Sequence, residues 1–261
     1  MLRLTKLLIH AILLGSVTTV VASEMPEPHE GSTPSMDQII DGMRQHEALQ
    51  SKVLKHYDAI RHYQVQYKGF ATTLTASMNV EVNYDSASGK SFHILSQSGS
   101  KLLCDKVLKR AVESEKEASL DKQSTALTPA NYRFRFTGTE RLDGQTAYVL
   151  HVDPLRPGKF LYRGSVWVDS PAYAVDKIEV EPAKNPSFWI SSTEIESTNS
   201  QIQGIWLPKT NRSQSKIRIG GTAVLTIDYG TYHVVLAGQP QGQMNGHPAI
   251  GSAPTGAASL R

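Results

Sequence analysis

The sequence predicts an α+β fold: a curled antiparallel sheet of about ten or eleven strands, an incomplete barrel, covered by helices. Three observations carry that expectation. Apolar and polar residues alternate with a period of two over most of residues 61–229, the spacing of strands with one apolar face. Two stretches, one near residue 40 and one near residue 110, switch to helical spacing. Nowhere does the chain fall into the strand-helix-strand rhythm of a parallel sheet.

Taken in order, the chain opens with Arg3 and Lys6, an apolar run from Leu7 to Ala22, and the small residues Ala22 and Ser23 before Glu24. This is the pattern of a cleaved secretory signal, and the run is shorter than the roughly 20 residues that a membrane span prefers. The expected organisation is a signal at 1–23, a Pro- and Glu-rich linker at 24–34, one domain at 35–236 and a disordered tail at 237–261. The expected location is the periplasm.

Ser35 with Gln38 three residues on forms a capping-box pattern that starts a helix. Met36, Ile39, Ile40 and Met43 follow at helical spacing, and Leu49, Val53, Leu54, Tyr57 and Ile60 continue it, either as one helix or as two broken near residues 45–48. From Tyr63, Val65 and Tyr67 the period becomes two. Strands then run through Ala76, Met78, Val80, Val82 and Tyr84 and, after a turn at 85–89, through Phe92 and Ile94.

Residues 101–117 read as a helical insertion, with Cys104 a packed small hydrophobe. Tyr132, Phe134 and Phe136 alternate with Arg133 and Arg135, and Asp143-Gly144 is a hairpin signal. Residues 160–181 read as two strands around a turn at Ser170-Pro171-Ala172. Further strands are expected near 187–196, at 205–208, at 212–219 before Gly220-Gly221, and at 223–229.

Charge and cysteine content exclude several functions. The chain holds 27 Lys and Arg against 24 Asp and Glu; without the signal's Arg3 and Lys6 this is 25 against 24, or +1. A near-neutral exported chain is a poor nucleic-acid binder. One cysteine cannot form an internal disulfide, so the fold depends on its core. No histidine pair has metal-ligand spacing, and neither a cofactor nor a metal is expected.

The run KFLYRGSVWVDSPAYAVDKIEVEPAKNPSFWI, followed by GIWLPKTNRSQSKIRIGGTAVLTIDY, resembles the superfamily of outer-membrane lipoprotein-sorting proteins. Its most specific pieces are Arg163 to Asp169 with Tyr173-Ala174-Val175, then Trp206-Leu207-Pro208 and the final alternating strand. That superfamily includes the periplasmic lipoprotein carrier, its outer-membrane receptor and the lipid-sensing domain of a periplasmic sigma-factor regulator. The resemblance covers about residues 36–235 and implies a helix-covered half-barrel whose apolar groove takes acyl chains of lipids or lipoproteins, with no chemistry.

On that basis the apolar strand faces supply the groove: Val65, Tyr67, Met78, Val80, Phe92, Phe134, Phe136, Val166, Ile178, Leu225 and Ile227. Each could equally be ordinary core, since a groove wall and a core wall share one pattern. Met36, Ile40, Met43, Leu49 and Val53 would form the lid side, and Arg133, Arg135, Arg163 and Arg212 a rim for anionic head groups or, individually, solvated charges. Partners would be acyl chains or lipids, inner- and outer-membrane proteins, and the membrane transiently.

A sensor contacting a membrane-bound regulator is the alternative. A carboxylate hydrolase using Glu194 and Glu196 with Glu179 and Glu181 is a third reading, weaker than a solvated strand face.

Overall fold

In a computed structural model, residues 33–185 and 187–238 are described. The expected signal, linker and tail lie outside them except for Thr33, Pro34, Ala237 and Gly238. Helix α1 (Met36–Val53) starts at the predicted capping box: Ser35 accepts from the Gln38 amide while the Gln38 side chain accepts from the Ser35 amide.

Strand β1 (Leu54–Lys68) follows with no loop, then β2 (Thr73–Asp85) and β3 (Gly89–Gly99). The insertion is α2 (Lys101–Leu103), a π-helical turn over Cys104–Leu108, α3 (Lys109–Leu120) and α4 (Lys122–Thr125). The second half is all strand: β4 (Tyr132–Leu142), β5 (Gln145–Pro154), β6 (Tyr162–Asp169), β7 (Val175–Pro182), β8 (Ile190–Ile202), β9 (Ile205–Ile217), β10 (Thr222–Asp228) and β11 (Tyr232–Leu236).

All eleven strands form one antiparallel sheet in the order β3-β2-β1-β10-β9-β8-β7-β6-β5-β4, with β11 continuing beside the first half of β1. The sheet does not close; β3 and β4 are its two edges. The fold class is thus the α+β curled sheet that the alternation predicts.

Three boundaries differ. The helix is unbroken through 45–48 and stops at Val53, so Tyr57 and Ile60 belong to a strand. Residues 205–217 form one strand rather than two. The Tyr232–Leu236 strand was not expected; Gly230, at φ 64° and where a Cβ would stand 2.2 Å from the Ile60 carbonyl oxygen, kinks the chain between β10 and β11.

One face of the sheet is covered by helices and carries two cores. The first joins Tyr57, Tyr63, Val65, Met78, Val80 and Val82 to Leu103, Cys104, Leu108 and Val112 of the insertion. The second joins Ile39, Ile40 and Met43 of α1 to Phe134, Leu150, Val152, Val166 and Val168. The opposite face is largely polar, as a strand's period of two requires once one face is buried. A small apolar patch of Ala147, Val149 and Trp167 interrupts it, with the Trp167 indole donating to Glu140 at 2.8 Å.

Candidate functional site

The residues expected to line a groove fall into the two cores. Val65, Met78, Val80 and Ile227 are buried in the first, with Tyr67, Phe92 and Leu225 packed against it. Phe134 and Val166 are buried in the second, with Phe136 and Ile178 packed against it.

Of the expected lid residues, Ile40 and Met43 are buried in the second core and Met36 packs on it. Leu49 and Val53 are 63% and 41% exposed. The inward helical stripe runs instead from half-buried Met36 through buried Ile39, Ile40 and Met43 to half-buried His46 and Gln50, the three-to-four residue step of one helix face. Leu49 and Val53 stand off that stripe.

Arg133, Arg135, Arg163 and Arg212 are exposed. Strand register places them on the polar face, away from the helices: Arg212 pairs with Glu196, Glu196 with Glu179, Glu179 with Ser165, Ser165 with His151, and His151 with Arg135. They therefore do not rim the helix-covered face. The reason is local: Arg133 and Arg135 alternate with Phe134 and Phe136, so one pair must face away from the other.

Two shallow troughs lie on this polar face. One, of about 630 Å³, is lined by Gln64, Gln66, Ser77, Ser98, Arg212 and Thr226 among others. The other, of about 500 Å³, holds His151, Arg163, Glu179, Glu181, Glu194, Glu196 and Arg212. Glu179 and Glu196 sit opposite one another, but Lys177 binds both, at 2.5 Å and 3.5 Å. An ammonium bridging two carboxylates relieves the like-charge repulsion of a solvated strand face. Among the described residues no group of three or more His, Cys, Asp or Glu is arranged to hold a metal ion.

A third cavity, of about 240 Å³, lies between α1 and the sheet. Met43, His46 and Gln50 form its helical wall, and Tyr173, Val175, Asn199 and Trp206 its sheet wall. Gln50 clamps the helix to the strand: its amide nitrogen donates to the Trp206 carbonyl at 3.1 Å and its amide oxygen accepts from the Trp206 N–H at 2.8 Å. His46 Nε2 and Trp206 Nε1 are buried here without a hydrogen-bond partner in the protein.

Gly42 brings the helix close. A Cβ at that position would stand 2.5 Å from the Tyr173 ring. Tyr173 itself has φ 54°, a left-handed conformation that costs a non-glycine residue about 1–2 kcal/mol. Its ring, packed on Tyr148 at 5.9 Å and under Gly42, holds it there.

His46, Gln50, Tyr173 and Trp206 were not singled out by sequence as site residues. Helical spacing extended from Met43 reaches His46 and Gln50, but following apolarity leads to Leu49 and Val53 instead.

Fold and site together define a class: an unclosed antiparallel sheet with an amphipathic helix laid over a mixed apolar and polar cleft. A model of a family of unknown function, DUF5686, matches residues 123–234, less than half of the chain. No curated protein matches the chain.

Among solved structures the chain is similar to a DUF1329 family protein from Desulfovibrio piger, at 14% identity and TM-score 0.41, covering 77% of this chain and 94% of that one. It is similar to a putative outer membrane lipoprotein-sorting protein domain from Vibrio parahaemolyticus, at 11% identity and TM-score 0.40, covering 80% and 95%. It is also similar to a LolA superfamily protein from Nitrosomonas europaea, at 10% identity and TM-score 0.33, covering 77% and 93%. The lipoprotein-sorting superfamily that the sequence resembles thus stands among its structural neighbours. At these scores the likenesses say nothing of a ligand.

Proposed function

We propose that the protein is an exported, non-enzymatic binder of the acyl chains of lipids or lipoproteins, and that α1 is the lid of its site. The observation that carries this is the cleft under α1. It is walled by Met43, Tyr173 and Val175, while His46 Nε2 and Trp206 Nε1 are donors or acceptors left over for a polar head.

The lid is lightly held. Ile39, Ile40 and Met43 are its buried side chains, and Gln50 supplies its clamp. At about 240 Å³ the cleft is smaller than the roughly 300–1,000 Å³ of pockets that enclose a small molecule, so a chain enters as α1 moves outward.

Each methylene then withdrawn from water stabilises the complex by about 0.8 kcal/mol, which offsets the cost of lifting α1. A bilayer offers an acyl chain nearly the same gain, so a binder of this type exchanges cargo with membranes and needs no catalytic group. The Arg3 and Lys6 segment ahead of its apolar run supports export to the periplasm.

Titration with a fluorescent fatty acid tests the reading. Saturable binding is expected, and Gln50→Ala, which removes the clamp and leaves the cores intact, should speed uptake. An absence of saturable binding by both proteins would contradict it.

A further inference from the structure

The three exposed aromatic residues among the described ones, Phe70, Phe188 and Trp189, all lie at one end of the sheet, at 95%, 76% and 56% exposure. Ile219, 71% exposed, is beside them. They come from three separate loops, β1–β2, β7–β8 and β9–β10. Those loops share one end because β1, β7 and β9 run toward it and β2, β8 and β10 leave it.

The loops are joined into one surface. Arg218 donates its backbone N–H to the Trp189 carbonyl at 2.8 Å and its Nε to the Phe188 carbonyl at 2.7 Å, and its guanidinium lies over the Phe188 ring at 5.4 Å. Phe188 and Trp189 pack edge to face at 5.5 Å. The Tyr67 hydroxyl donates to the Gly220 carbonyl at 3.0 Å, and Phe70 lies where a Cβ on Gly220 would be.

The charge of these three loops is of one sign, with Glu181 on β7 the acid just before them. Residues 68–73, 183–190 and 216–222 contain Lys68, Lys184, Lys216 and Arg218 and no Asp or Glu, on a chain otherwise close to neutral. Apolar rings presented by a hydrogen-bonded frame, with a cationic surround and a tryptophan among them, match the layering of a bilayer interface: acyl region, aromatic level, anionic head groups. A protein partner of ordinary interface composition would not call for three lysines around the rings, since lysine is depleted at such interfaces.

We propose that this loop tip docks the protein peripherally on an anionic phospholipid surface, with Phe70, Phe188, Trp189 and Ile219 entering the interface and the four cations facing the head groups. This does not rest on the cleft beneath α1, which is walled by other residues.

Sedimentation with vesicles of equal parts phosphatidylcholine and phosphatidylglycerol, against vesicles of phosphatidylcholine alone, tests it on the processed chain. The protein should bind the anionic vesicles and lose affinity with added salt. Lys68→Gln and Lys184→Gln should each weaken binding about fivefold, the effect of one cation at such a surface.

The double variant Phe70→Ser, Trp189→Ser should weaken binding further while keeping the wild-type circular dichroism and fatty-acid uptake. Lipids brominated along the acyl chain should quench wild-type tryptophan fluorescence and lose that effect in Trp189→Phe. Failure to sediment with anionic vesicles, equal binding to neutral ones, or full binding by the folded double variant would each overturn the proposal.

Discussion

At the scale of single residues, Arg61 is the least expected. It stands on the apolar face of β1 between Ala59 and Tyr63, its side chain fully buried, and its guanidinium meets both oxygens of Glu115 at 2.7 Å. The ring of Tyr229 lies 4.5 Å below it, and Lys90 reaches Glu115 at 3.1 Å. Burial pushes the Glu115 carboxyl up, and the charges of Arg61 and Lys90 more than reverse this, leaving it below the usual carboxylate range. Burial, with the charge of Glu115, pushes the neighbouring Tyr63 hydroxyl up to about 12.

Because the folded state depresses the Glu115 pKa, the stability it contributes is present above the ordinary carboxylate range and is lost as pH falls through the depressed value. Acid unfolding followed by circular dichroism should therefore begin at higher pH in Glu115→Gln. That variant should also lose about 3 kcal/mol at neutral pH, since it leaves a buried guanidinium without its counter-charge.

Gly42→Ala is a second residue-scale test. In an ordinary helix the change stabilises by about 1 kcal/mol, but here the added methyl meets the Tyr173 ring. Denaturant unfolding should show the usual overpacking cost of about 1–3 kcal/mol less that gain, a net loss of up to about 2 kcal/mol. A gain would mean that α1 does not lie as close to Tyr173 as described.

At the scale of elements, the strands were legible wherever one face is apolar and the other is not. Tyr132 to Phe136 against Arg133 and Arg135 is the clearest case, and Asp143-Gly144 makes the expected hairpin with positive φ at both residues. The start of β1 was not legible. Leu54, Tyr57 and Ile60 fit a helical step as well as they fit a strand, and the true alternation there passes through Ala59 and Arg61, which do not announce a buried face. The partner that lets Arg61 be buried is Glu115, 54 residues away on the insertion.

The lid face of α1 was half legible. Its apolar part, Met36 to Met43, follows the pattern, but its continuation is His46 and Gln50, polar residues, of which Gln50 finds its partner, Trp206, on β9. Gln50→Ala removes two hydrogen bonds, at about 1 kcal/mol each, and should raise amide exchange in the second half of α1 while leaving β4 to β7 protected. Uniform loss of protection would mean that α1 does not open separately from the sheet.

At the scale of the whole molecule, the fold divides its work between two faces and one end. The helix-covered face holds two cores, one under the insertion and one under α1, with the cleft at the second. The opposite face is a solvated polar surface, and the loop end carries the exposed rings. Sequence alone could find the apolar strand faces but not say which were filled by a helix, because contact with a helix and contact with a ligand select the same residues. The distinction lies in helix placement, fixed here by the close approach at Gly42 and the Gln50 clamp.

The most direct test of acyl-chain binding is native mass spectrometry of the protein purified from its envelope fraction, with extraction and identification of what it carries. A bound lipid or acylated peptide, held by the wild type and exchanged faster by Gln50→Ala, is the predicted result. A protein that is empty on isolation and takes up no added fatty acid would contradict the account.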